Sequence, residues 1–267
     1  MAMSREIPLK LYGERNTGTN YIETLLAKNL QVSVLPGRVP NSHLPTMLTR
    51  YARNVIPDGD HWHEWARDRY FRLNFKDNLG WKHMCPSPER IGAARLAQVR
   101  FIMVLKNPYA WLLSLFRNPY HVGGRDDNVL NFLDRRLPVM EMRENTGPEA
   151  LTPVEVWNRK GRGYLALREV ASHAMLVQYE DFLRGEDQMI GVICAELGLT
   201  RTEALQSVPS GVKRGDRDTS HTKYVDYYLD EAWRSELTPE AIAKINTRLD
   251  PELTETFGYH MIAPEEG

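Results

Sequence analysis

Gly13-Glu14-Arg15-Asn16-Thr17-Gly18-Thr19-Asn20 sets two glycines with four residues between them, directly after a short apolar run. Glycines at that spacing let several backbone N–H groups turn toward one anion, and a helix starting just beyond adds the positive end of its dipole. This is the spacing of a phosphate-binding loop between a strand and a helix. A nucleoside-triphosphate loop would continue with lysine and then serine or threonine. Thr19 and Asn20 stand there instead, so neither the lysine that reaches the outer phosphates nor the hydroxyl that holds Mg²⁺ is in place. The expected chemistry is anion binding without the metal apparatus. The bland alternative is an ordinary strand-to-helix turn.

A second set of anion ligands follows another apolar run. Lys106 stands at the end of Phe101 to Leu105, and Ser114 comes eight residues later, beyond Asn107-Pro108. A helix starting at that proline brings a point charge and a hydroxyl donor toward one anion. Alone, the pair reads more simply as a surface lysine and a helix-interior serine. Taken with the first loop it gains weight, because both sites follow strands and fall on the carboxyl edge of one sheet. Two anion sites on one edge suit a nucleotide with phosphates on both sides of its ribose.

The elements that must hold these residues follow from periodicity. Pro8 to Tyr12, Phe101 to Leu105 and Ala174 to Gln178 are short apolar runs, each followed by a helical pattern, which predicts parallel strands in βαβ units. Leu79 to Lys82 is a weaker fourth strand. Ile22, Leu25, Leu26 and Leu30 give Thr19 to Leu30 a helical face. Helices are also predicted at Tyr109 to Arg117, from the capping box Thr152-Pro153-Val154-Glu155 to about Ser172, from Gln188 to Leu197 with Gly198 as the stop, and from Thr238-Pro239 to before Pro251. Pro36 to Asp77 and Pro119 to Gly147 fit poorly and read as long insertions, either lids and acceptor walls or surface loops with a local helix.

The whole chain sets limits. Its 267 residues suit a single α/β domain, with 42% apolar and 26% charged residues, as in an ordinary globular enzyme. A net charge of −1 argues against a nucleic-acid binder. No run is long and apolar enough to span a bilayer, and Met1 to Lys10 lacks the apolar core of a signal peptide. Two distant cysteines, Cys85 and Cys194, match no metal spacing, and a reducing cytoplasmic setting is expected.

At this point the sequence resembles the family of sulfotransferases dependent on 3'-phosphoadenosine-5'-phosphosulfate (PAPS). Arg15-Asn16-Thr17-Gly18-Thr19-Asn20-Tyr21 looks like the family's Pro-Lys-Ser-Gly-Thr-Thr-Trp loop for the 5'-phosphosulfate. Lys106-Asn107-Pro108 through Ser114 is similar to its Arg-Asn-Pro…Ser motif for the 3'-phosphate, with the same spacing. Tyr179-Glu180-Asp181-Phe182 resembles Tyr-Glu-Asp-Leu, whose tyrosine contacts adenine, and Val212-Lys213-Arg214-Gly215 resembles the late Phe-Arg-Lys-Gly, which also grips the 3'-phosphate. The four motifs run in the family's order, from about residue 8 to residue 259. The resemblance implies a P-loop-like three-layer α/β/α fold with a central, mainly parallel sheet and helical insertions. It also implies PAPS as donor, 3',5'-adenosine bisphosphate (PAP) as product and no metal.

The departures are specific. The family's catalytic lysine falls on Asn16, so the cation beside the leaving oxygen must come from Arg15, Lys10 or Lys82. The family's stacking tryptophan is Tyr21 here. Leu79-Gly80-Trp81-Lys82-His83-Met84-Cys85-Pro86 resembles the family's Lys-Thr-His-Leu-Pro, but its histidine comes one place early. His83 is the expected base, with Glu14 next. Backbone amides of Thr17, Gly18, Thr19 and Asn20 would hold the 5' side, and Lys106, Ser114, Lys213, Arg214 and Gly215 the 3'-phosphate. The acceptor would carry a hydroxyl or amine, such as a small molecule, a saccharide or a lipid-linked glycan; no nucleic-acid partner is expected. Two alternatives remain: a binding protein that keeps the PAP site without catalysis, and a P-loop NTPase or kinase. Two weaker constellations are His61 and His63 as metal ligands on one strand face, and Trp62, Trp65, Tyr70 and Phe71 as a sugar-binding face.

Overall fold

The structure is a computed structural model that describes residues 6–53, 55–119, 126–202, 204–208 and 221–264, with the backbone alone at 221–223. In chain order the elements are β1 (Ile7–Gly13), α1 (Thr19–Asn29), β2 (Val32–Val34), α2 (Leu44–Ala52), α3 (Gly59–Leu73), α4 (Phe75–Asn78), α5 (Pro88–Ile91), α6 (Ala93–Gln98) and β3 (Arg100–Leu105). There follow α7 (Pro108–Arg117), α8 (Val129–Asp134), α9 (Pro153–Val170), β4 (Ala174–Gln178), α10 (Tyr179–Arg184), α11 (Glu186–Leu197), α12 (His221–Leu229), a 3₁₀ turn (Ala232–Glu236), α13 (Pro239–Asn246) and α14 (Pro251–Thr256).

The described strands form one four-stranded sheet in the order β2-β1-β3-β4. Every pairing is parallel, with Gly13 beside Val104 and Leu105 beside Gln178. Side chains alternate across a strand, so β1, β3 and β4 each feed two cores, while the short edge strand β2 feeds one. Leu9, Leu11, Ile102, Val104 and Val177 pack on one face with Tyr21, Ile22, Leu25 and Leu26 of α1 and Ile190 and Ile193 of α11. Tyr12, Phe101, Met103 and Leu105 pack on the other with Trp111 and Leu112 of α7, Trp157 and Tyr164 of α9, and Ile242 and Ile245 of α13. The parallel sheet is what the strand-and-helix alternation predicts, and the three-layer α/β/α arrangement is what the resemblance implies. The chain leaves β1 toward β2 on one side and reaches β3 on the other. A ligand crevice is therefore expected at the carboxyl ends of β1 and β3, where the winding reverses.

Three sequence expectations need correction. Leu79 to Lys82 is not a strand; Leu79 (φ 54°) and Gly80 (φ 84°) are left-handed and turn the chain. The fourth strand is Val32–Val34, an edge strand too short to show in a hydropathy pattern. The insertion at 36–77 is largely helical, with α2 and α3 packed on one another. His61 and His63 therefore sit on a helix, where residues two apart do not share a face. His63 is buried against Thr49 Oγ1 at 3.0 Å while His61 is exposed. Phe71 likewise belongs to the core while Trp62 and Trp65 are exposed, so these aromatics do not line one face.

Caps fall where the chain chemistry places them. The Thr152 side chain accepts from the Glu155 N–H, and the Glu155 carboxylate accepts from the Thr152 N–H, completing the capping box of α9. Asn107 caps α7 through its Oδ1, which accepts from Tyr109 N at 3.0 Å, with Pro108 at the first helical position.

Candidate functional site

The loop Gly13 to Gly18 crosses the carboxyl edge of β1 and enters α1. Asn16 (φ 63°) and Gly18 (φ 67°) are both left-handed, a conformation that asparagine and glycine tolerate best. A Cβ on Gly18 would also lie 2.5 Å from a ring carbon of Tyr179. At the start of α1, Ile22 N–H is the first to bond back, to Gly18 O at 3.0 Å. Among the described residues no side chain caps the helix, and its first turn carries no acidic residue. The N–H groups of Thr19, Asn20 and Tyr21 are thus the orphan donors that a helix N-terminus offers to an anion.

Lys106 closes the loop from the next strand. Its ammonium donates to Asn16 O at 2.6 Å and lies over the rings of Tyr179 and Tyr228, 4.4 Å and 3.9 Å from their centroids. Ser114, two turns into α7, donates to Ala110 O at 2.8 Å and stands 3.2 Å from the Tyr228 hydroxyl. The Asn16 amide donates to Ser114 O at 3.2 Å, tying loop and helix together. Glu180 fixes the turn between them: it accepts from Asn107 N at 3.0 Å and from the Tyr259 hydroxyl at 3.0 Å. Asn16, Lys106, Ser114, Gly18 and Tyr179 therefore come together. Lys213, Arg214 and Gly215 lie outside the described residues.

On the other side of the loop stands His83. Its Nδ1 is 2.7 Å from Gly13 O, so Nδ1 carries the proton and donates, and Nε2 is left as the basic nitrogen. Burial, then the charges of Lys82, Lys160 and Arg15, hold its pKa well below 6.5, so the ring is neutral near pH 7. Lys82 is buried and donates to Asn20 Oδ1 at 2.6 Å and to the Glu23 carboxylate, at the start of α1. Burial lowers its pKa against the pull of Glu23. Thr17 turns inward, its hydroxyl on Glu14 O at 2.5 Å. Tyr21 is buried in the α1 core with its hydroxyl on Glu186.

The remaining expected cations are committed to other groups. Lys10 is fully buried and donates to Asn78 O and Gly80 O at 2.5 Å each and to Pro36 O at 3.3 Å. It braces the turn that leads to Lys82 and His83, and burial lowers its pKa to about 7. Arg15 lies over the Trp81 ring and pairs with Glu144 and Glu64. Glu64 also pairs with Arg67 at 3.1 Å and with Arg143, which stacks 3.5 Å from the Trp81 centroid. Trp81 also meets His83 edge-on. This buried network joins the loop to both insertions, through Glu64 at 36–77 and Arg143 and Glu144 at 119–147.

Glu14 points below the loop and is fully buried. Its carboxyl lies 3.7 Å from Lys160 Nζ of α9, and burial raises its pKa against the opposing charge of Lys160. Sequence reasoning missed Lys160 and Tyr228. Lys160 carries a faint signal, a lysine on the Trp157–Tyr164 face of a helix. Nothing in the sequence places Tyr228 against Lys106.

No family profile matches the chain, and no curated protein matches it in sequence. Solved structures similar to it include the sulfotransferase domain from the curacin biosynthetic pathway, at 13% identity and TM-score 0.45 over 96% of this chain and 99% of that one. The sulfotransferase domain of the Synechococcus PCC 7002 olefin synthase is 19% identical, with TM-score 0.46, over 97% and 96%. A sulfotransferase from Alicyclobacillus acidocaldarius is 13% identical, with TM-score 0.42, over 96% and 97%. Among the described residues no helix is long and apolar enough to cross a membrane, and no cluster of three metal-ligating side chains occurs. What the site does is decided by its own residues.

Proposed function

We propose that this chain is a sulfotransferase that takes a sulfuryl group from PAPS to a hydroxyl or amine acceptor. The observation that carries the reading is the junction at Asn16. There the open N-terminus of α1 and the Lys106–Ser114 pair meet at one sheet edge, with a neutral histidine on the far side of the loop.

The residues fit a nucleotide with phosphates on both sides of its ribose. The first-turn N–H groups of α1 would hold the 5' side, with Lys82 supplying positive charge at the same end. Lys106 and Ser114 would hold the 3'-phosphate, and Tyr179, packed on Gly18, would offer a ring to the base. PAPS supplies the sulfuryl group. The protein's work is positioning and charge stabilisation, with little covalent chemistry of its own. His83 Nε2 would accept the acceptor's proton while Gly13 O holds the ring in the required tautomer. The insertions at 36–77 and 119–147, joined to the loop through Arg15, would wall the acceptor side.

Thermal unfolding with PAP, ADP and AMP, each with and without Mg²⁺, tests this. A ligand at about 100 times its Kd stabilises by roughly 2.7 kcal/mol, a rise of about 5–10 °C in a chain of this size. A metal-independent rise with PAP that exceeds those with ADP and AMP is expected. A Mg²⁺-dependent rise with ADP and none with PAP would replace this reading with an NTPase. PAPS turnover against a panel of alcohols, amines and saccharides then separates an enzyme from a silent binder.

A further inference from the structure

Lys106 and Ser114, the two groups assigned above to the 3'-phosphate, are both covered by one side chain. Tyr228 of α12 sets its hydroxyl 3.2 Å from Ser114 Oγ and its ring centroid 3.9 Å from Lys106 Nζ. An ammonium has three N–H donors. Asn16 O takes one at 2.6 Å, and the Tyr179 ring, its centroid 4.4 Å away, covers another direction. Among the described residues, the two rings are what an anion must displace to reach Lys106.

The two rings are not equally displaceable. Tyr179 directly follows β4, is 3% exposed and rests on Gly18. Tyr228 rides on a separate nine-residue helix. It meets other tyrosines, stacking on Tyr224 and standing edge-on to Tyr227 and Tyr179. The bond that Tyr227 accepts from Arg117 at 2.6 Å is exposed, and exposed polar contacts are weak restraints. The place is also suited to negative charge. Although burial pushes the phenol upward, Lys106 and the bond with Ser114 bring its pKa below the usual tyrosine value.

We infer that Tyr228 holds the place of the 3'-phosphate, so that α12 must withdraw this ring before a 3'-phosphorylated nucleotide can bind. The inference rests on the PAPS reading and concerns how that site is gated. A closed site lowers apparent affinity by the fraction of molecules that are open.

Calorimetric titration of the full chain with PAP and with AMP, which lacks the 3'-phosphate, tests it on wild type, Tyr228→Ala and Tyr228→Phe. An open fraction near 10% predicts about tenfold tighter PAP binding by Tyr228→Ala, with AMP unchanged. Tyr228→Phe keeps the ring packing and should gain about threefold through the freed Ser114 hydroxyl. Hydrogen exchange should show α12 losing protection when PAP binds the wild type. Weaker PAP binding by both variants would make Tyr228 a phosphate ligand and overturn the inference. Unchanged affinity, or α12 more protected with PAP, would overturn it too. Absence of PAP binding to all three proteins, each melting cooperatively, would overturn the PAPS reading together with it. If Tyr228→Ala does not fold, Tyr228→Phe and the exchange data decide.

Discussion

Replacing His83 by glutamine should flatten the acid limb of the stability curve. In the fold, Nδ1 of His83 donates to Gly13 O at 2.7 Å, and burial followed by the charges of Lys82, Lys160 and Arg15 depresses its pKa well below 6.5. An unfolded histidine titrates near 6.5. As the pH falls through about 6.5, the unfolded chain takes up a proton that the fold refuses, and stability declines until the folded pKa is reached. Each pH unit in that window removes up to about 1.4 kcal/mol, or roughly 3–5 °C of melting temperature for a protein of this size. Glutamine can still donate to Gly13 O but binds no proton. His63, with its pKa brought to about 4 by burial, and His173, also lowered by burial, act alike in both proteins and cancel in the difference. The assay is thermal unfolding of both proteins from about pH 7.5 to about pH 5. Parallel curves through that interval would show that His83 is protonated as readily in the fold as outside it. Its proposed role as a neutral base would then fall.

Other perturbations follow from the same geometry. Glu64→Gln leaves Arg143 buried without its carboxylate and should cost about 3–5 kcal/mol in urea unfolding at neutral pH. Because the surrounding arginines hold the Glu64 pKa below 4.5 despite burial, this contribution is present above about pH 4.5 and is lost as pH falls through the folded pKa, so the difference between the two proteins should narrow in acid. A difference that is constant with pH would contradict the pairing. Lys106→Met should weaken PAP binding by about 10- to 100-fold and leave AMP nearly unaffected, measured by calorimetry. Gly18→Ala meets both a left-handed φ and the Tyr179 ring, so it should destabilise by more than about 1 kcal/mol and weaken PAP binding; a neutral melt would show the loop can re-form around a side chain.

Much of the fold was legible because its signals are local. Buried parallel strands are short apolar runs, and the boundaries at Thr152-Pro153, Thr238-Pro239 and Gly198 are written in capping chemistry. The turn at Leu79 to Lys82 read as a strand because apolar content cannot report the buried Lys10 ammonium that gathers the carbonyls of Asn78 and Gly80. α14 was missed because six residues carry too little periodicity, although Asp250-Pro251 has the form of a cap. Within the site, Gly13 to Asn20, Lys106 and Ser114 could be found by spacing from strand ends. Tyr228 could not: tertiary packing brings it to Lys106 from more than a hundred residues away. The same holds for Arg15, whose partners Glu64 and Glu144 come from two separate insertions.

That last arrangement has a thermodynamic corollary. Arg15 belongs to the loop, yet its ion pairs belong to the insertions at 36–77 and 119–147, which we propose wall the acceptor side. A ligand on the loop that strengthens or loosens those pairs changes the free energy of the wall, and linkage requires a ligand on the wall to change loop affinity by the same factor. Donor and acceptor should therefore bind this protein as coupled events. Charge substitutions at Glu144 should alter the cooperativity between them, with a smaller effect on either affinity alone.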